Sequence, residues 1–90
     1  MEEDIIQEIK QFINRGYLDG LKELWNEYQN TQFEKPIAWD YIFQKVYLHA
    51  CLKKQIQIVE WLQTLFTQLG EIQQIAIKHT ITYGNYLLRK

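Results

Sequence analysis

The apolar residues of this chain fall at helical spacing in four successive stretches and at an ambiguous spacing in a fifth. In the first, Ile5, Ile9, Phe12 and Ile13 stand at i, i+4, i+7 and i+8, positions that share one helical face. Glu2, Glu3 and Asp4 precede them, where the positive end of the helix dipole favours carboxylates, and Gly16 follows as a C-terminal stop. A second helix is expected with Asp19 as its cap and with Leu21, Leu24, Trp25 and Tyr28 turned inward, closing before Gln29-Asn30-Thr31-Gln32. Only about three residues separate the two, which predicts a tight antiparallel hairpin over 4–29.

Residues 30–36 form the longest expected loop, and Pro36, the only proline, suits the first position of a third helix. That helix carries Trp39, Ile42, Phe43, Val46 and Ala50 on one face and Tyr41, Leu48 and Leu52 on another, which predicts burial between neighbours. A fourth helix carries the stripe Ile58, Val59, Leu62, Leu65, Phe66 and Leu69, with Trp61 at its edge and Gly70 at its end. Only the polar triplet Lys53-Lys54-Gln55 separates these two, so 37–69 reads as a second hairpin, although one continuous helix also fits the pattern.

The last segment, 71–90, has two readings. Ile75, Ile77, His79, Ile81 and Tyr83 alternate with Ala76, Lys78, Thr80 and Thr82, as in a strand. As a helix, the segment places Ile72, Ile75, Ala76, His79, Thr80, Tyr83 and Leu87 on one broad inward face, with Arg89 and Lys90 at the favourable dipole end. No other segment reads as a strand with which it could pair, so the helix is the preferred reading.

A shift of 38 residues superimposes Leu21 on Val59, Leu24 on Leu62, Tyr28 on Phe66 and Gly16 on Lys54, a period typical of stacked helix-pair repeats. The run from Ala50 to Leu62, with its small pair Ala50-Cys51 and its stripe Ile58-Val59-Glu60-Trp61-Leu62, resembles the joint between the two helices of an ankyrin repeat. Asn14-Arg15-Gly16-Tyr17-Leu18-Asp19-Gly20-Leu21 looks like the same joint in an earlier unit. With Trp61 before Leu62, the run is similar to divergent ankyrin-like proteins of giant DNA viruses, the marseillevirus group among them. The family's Thr-Pro-Leu-His opening is missing, its turn Gly-His is Lys54-Gln55, and at most two and a half units fit. The resemblance implies a protein-binding module without catalysis. The expected fold is therefore all-α: about five helices in antiparallel hairpins, either ankyrin-like helix pairs or a compact helical bundle.

Ninety residues fit one domain able to bury a single core. Thirteen aromatic residues are a heavy load for that size and predict that some rings meet a partner. The lone cysteine, Cys51, excludes an internal disulfide, the acidic N-terminus does not resemble a secretory signal, and no apolar run is long enough to span a bilayer. A soluble, intracellular protein with no membrane association is expected. Net charge is −1, but residues 1–45 hold nine acids and five bases and residues 46–90 two acids and five bases. This asymmetry suits head-to-tail or two-fold self-contact and opposes nucleic-acid binding by the molecule as a whole.

The candidate chemistry is sparse. His49 and Cys51, at i and i+2 of a helix, point to different sides and cannot share one metal ion, and His79 adds only one further ligand. No phosphate-cradling glycine loop is present. The expectation is no enzyme, no catalytic residue, no metal and no cofactor. Trp39, Tyr41, Tyr47, Trp61, Tyr83 and Tyr86 are instead the candidate interface residues of an interaction or assembly module, with a homodimer as the simplest partner arrangement and an unidentified protein as a further one. The alternative is a nucleic-acid-associated protein that uses Lys78, His79, Arg89 and Lys90 with the neighbouring tyrosines.

Overall fold

The computed structural model describes all 90 residues as five helices without a strand: α1 (Glu2–Arg15), α2 (Leu18–Gln29), α3 (Trp39–Leu52), α4 (Ile56–Phe66) and α5 (Glu71–Arg89). Residues 74–83 are helical. A lone strand there would have no ladder partner, whereas a helix satisfies its own backbone groups locally.

The α1–α2 and α3–α4 joints have the same construction. Gly16 is left-handed (φ 66°), its N–H donates to the Ile13 carbonyl at 3.0 Å, and the Tyr17 N–H donates to the Phe12 carbonyl at 3.1 Å. One repeat later Lys54 is left-handed (φ 57°), its N–H donates to the Cys51 carbonyl at 3.1 Å, and the Gln55 N–H donates to the Ala50 carbonyl at 3.1 Å. The next helices also start alike, Leu21 N–H on the Tyr17 carbonyl and Val59 N–H on the Gln55 carbonyl. Each joint satisfies the last carbonyls of one helix while reversing the chain within a few residues. The 38-residue offset is thus a repeat of hydrogen bonds, and 37–69 is broken at Lys53-Lys54-Gln55.

Side-chain links set the directions of the helices. Tyr41 Oη donates to Glu3 Oε1 at 2.8 Å and His49 Nε2 lies 2.7 Å from Asn14 Oδ1, so α1 and α3 run parallel. Thr80 Oγ1 donates to Gln44 Oε1 at 2.8 Å and Lys54 Nζ to the Leu87 carbonyl at 2.8 Å, so α5 runs parallel to α3 as well. The helices α1, α3 and α5 form one layer with α3 in the middle, and α2 and α4 return antiparallel on it. Trp25 of α2 meets Trp61 of α4 edge-on at 6.3 Å.

The core lies between the layers. Ile5, Ile6, Ile9 and Ile13 of α1 face Ile42, Phe43, Val46 and Tyr47 of α3, and Leu21, Ile58, Val59, Leu62 and Ile77 complete it. Each fully buried large side chain contributes about 1.5–3 kcal/mol relative to exposure, so this cluster accounts for the central position of α3. The second apolar face expected on α3 is only partly covered, since Tyr41 is 40% and Leu52 61% exposed.

Several expected boundaries are corrected. Asp19 does not cap α2: Tyr17 occupies that position without a side-chain bond, because the left-handed turn already starts the helix, and Asp19 lies in the first turn. Pro36 does not begin α3. The Ala38 N–H donates to Glu2 Oε2 at 3.1 Å, which holds 36–38 against the start of α1 and delays the helix to Trp39. Gly70 does not end α4, which stops at Phe66; it precedes α5, where its N–H donates to Gln73 Oε1 at 3.3 Å.

Candidate interaction surface

The most apolar exposed surface lies on α5. The buried side of this helix runs through Ile77 and Gly84, with Ile81 and Leu88 half-buried beside them. Of the inward face expected from the sequence, only Thr80 and Leu87 are half-buried against the fold, while Ile72, Ile75, Ala76, His79 and Tyr83 are exposed. Ile72 is 83%, Ile75 67%, Tyr83 55% and Tyr86 58% exposed, and His79 between them is exposed too. The physical reason is Gly84: without a side chain it lets α5 approach the Tyr47 ring and Cys51 Sγ more closely than any other residue would. The Tyr47 hydroxyl then donates to Asn85 Oδ1 at 3.1 Å, fixing the same face inward.

At about 100° per residue, Ile72, Ile75, His79, Tyr83 and Tyr86 fall within about 80° of the helix circumference. They form a continuous stripe opposite α3. The Tyr83 and Tyr86 rings stack with centroids 6.3 Å apart and planes 20° apart, so part of the ordering cost of a contact is already met. Alongside runs a groove of about 510 Å³ bordered by Phe66, Ile75, Ile81 and Lys78.

The other candidate interface residues are drawn elsewhere. Tyr47 is completely buried, stacked on Phe43 at 5.7 Å, and belongs to the core. Burial pushes its phenol above the ordinary range. Trp39 and Trp61 are half-buried and both pack on Trp25, Trp39 at 5.4 Å. Tyr41 is held against α1 by its bond to Glu3, which raises its phenol pKa, and Lys45 lies 5.6 Å from its ring centre. Of the six, Tyr83 and Tyr86 are the two on the α5 stripe.

A second cleft, of about 340 Å³, opens between Trp25, Trp39, Leu65 and Leu69. Its polar border consists of the exposed amides of Asn26, Gln29, Gln68 and Gln73, with no charged group.

His49 and Cys51 diverge. Cys51 is buried beneath Gly84, and burial pushes its thiol up. His49 is half-buried against Asn14, and desolvation, reinforced by Lys10 and Lys53, holds its pKa below the usual value. Lys78, His79, Arg89 and Lys90 are all exposed, but about 15 Å of helix separates the first two from the last two. They form two small positive points at either end of the tyrosine pair.

Ile72, Ile75, His79 and Tyr83 are the stripe members the sequence placed inward. The available signal was the seven-residue spacing of Ile77 and Gly84, a second stripe that carries the only glycine within the helix.

No family model, curated protein or solved structure matches this chain.

Proposed function

We propose that this protein is a non-catalytic interaction and assembly module that self-associates through the outward face of α5. The observation that carries the reading is the stripe Ile72, Ile75, Tyr83 and Tyr86, four large side chains each more than half exposed on one helix face. Contiguous exposed apolar surface on a small domain is characteristic of contact sites, and tyrosine is enriched at interface centres. The position of α5 at the open end of a row of parallel helices supports the same reading, because stacked helix pairs bury their faces against a next unit. On this reading the chain is a divergent ankyrin-like stack with α5 as the first helix of a further unit, and a partner packs on the face that α5 turns outward.

The test is absolute mass by light scattering on a sizing column across a range of concentrations. A mass of twice 11.0 kDa is expected, and Ile75→Glu is expected to return it to a single chain. A single-chain mass at every concentration overturns self-association. Salt-sensitive retention on DNA that disappears with Arg89→Glu and Lys90→Glu would favour the nucleic-acid alternative.

A further inference from the structure

We infer that α5 pairs with α5 of a second copy in the antiparallel direction, about a two-fold axis that passes beside His79. This rests on the self-association reading above and specifies its geometry. The stripe is symmetric in position about His79: Ile72 and Tyr86 lie seven residues to either side, Ile75 and Tyr83 four. In an antiparallel pair centred there, Ile72 meets the partner's Tyr86, Ile75 meets the partner's Tyr83, and His79 meets the partner's His79. Each aliphatic side chain is set against an aromatic ring, at both ends alike, as a self-complementary patch requires.

Charge selects this direction over the parallel one. Glu71 and Arg89 lie on the same flank of α5, at about 100° per residue. Antiparallel pairing brings Glu71 of each copy to within two positions of the partner's Arg89, giving two opposite-charge contacts across the interface. It also opposes the two helix dipoles. A parallel pair would place Glu71 and Arg89 of the two copies on opposite sides of the seam, each facing a flank with no opposite charge, and would crowd all four tyrosines at one end. The antiparallel register contains one like-charged contact, Lys78 with its copy on that same flank near the axis. Neither end of the stripe is covered within the chain: Ile72 is 83% and Tyr86 58% exposed.

Cysteine cross-linking distinguishes the arrangements, and Cys51, fully buried, does not compete. Under mild oxidation His79→Cys is expected to give a covalent dimer on a non-reducing gel, because only a residue at the axis meets itself. Ile72→Cys alone is expected to stay uncross-linked, whereas Ile72→Cys mixed with Tyr86→Cys is expected to link. Lys78→Gln should tighten the unlinked dimer, and His79→Glu, which places two like charges at the axis, should weaken it about tenfold or more. Efficient self-linking of Ile72→Cys, whether or not His79→Cys also links, would overturn the antiparallel geometry and leave self-association standing. A dimeric mass with none of these links would overturn the α5 pairing. A monomeric mass throughout would overturn both.

Discussion

The ring of Tyr47 lies directly against the bare Cα of Gly84. A Cβ added at Gly84 would fall well inside van der Waals contact with that ring and 2.9 Å from Cys51 Sγ. Alanine favours helix over glycine by about 1 kcal/mol, so propensity alone predicts that Gly84→Ala stabilises. The packing term opposes it: forcing extra volume into a filled core costs about 1–3 kcal/mol. The expected outcome is a net loss of up to about 2 kcal/mol in chemical denaturation. A gain in stability would mean that α5 does not sit this close to α3.

Around the Tyr47 hydroxyl, three side chains from three helices converge. It donates to Asn85 Oδ1 at 3.1 Å and accepts from Gln63 Nε2 at 3.1 Å, and Gln63 Nε2 lies 3.4 Å from the same Asn85 oxygen. Tyr47→Phe leaves these amides without their shared partner and is expected to cost about 1–2 kcal/mol, as is usual for a buried bond lost on one side. Combined with Gln63→Leu, the losses should be less than additive, with a coupling of about 0.5 kcal/mol or more in a double-mutant cycle. Strict additivity would argue against the network.

The two left-handed turns predict different responses. Gly16→Ala forces a Cβ into the left-handed region, and that Cβ would also stand 3.2 Å from Gln55 Oε1. A loss of about 1–2 kcal/mol is expected. Lys54 already bears that strain, and its Nζ donates to the Leu87 carbonyl at 2.8 Å and the Leu88 carbonyl at 3.2 Å, capping α5. Lys54→Gly removes the strain and the cap together. Because a cation at a helix C-terminus contributes about 0.3–1 kcal/mol, global stability should change by less than about 1 kcal/mol. Amide exchange in the last turn of α5 should become faster, and unchanged exchange there would deny Lys54 the capping role.

His49 links stability to acidity. Desolvation first, then the positive charges of Lys10 and Lys53, lowers its folded pKa below the ordinary 6.5. A proton therefore binds the unfolded chain more readily than the folded one. This contribution is absent above pH 6.5 and destabilises the fold as pH falls from there toward the lowered folded value. His49→Gln keeps a donor toward Asn14 and should flatten the stability profile between about pH 7 and 5 relative to the natural chain. Parallel profiles for the two proteins would remove His49 as the cause.

The all-helical class, the order of the first four apolar stretches and the first hairpin follow from the sequence by itself, because they depend on local physics, whereas the break at Lys53-Lys54-Gln55 and the helix over 71–90 were each one of two readings the sequence allowed. Apolar residues at helical spacing mark α1 to α4, and Gly16 and its counterpart Lys54 reverse the chain within a few residues. Pro36 and Gly70 were misread because long-range or downstream contacts outweighed their local preferences: Ala38 is tied to Glu2 on α1, and Gly70 to Gln73 at the start of α5. The orientation of α5 was a tertiary decision. Both its faces are apolar, Ile77, Ile81 and Leu88 on one and Ile72, Ile75, Tyr83 and Tyr86 on the other, so periodicity cannot rank them. What ranked them was fit. Gly84 admits the Tyr47 ring, while Thr80 and Asn85 find Gln44 and Tyr47 across the contact. Turning the helix the other way would set bulky Tyr83 and Tyr86 against that ring and leave those half-buried polar groups without these partners.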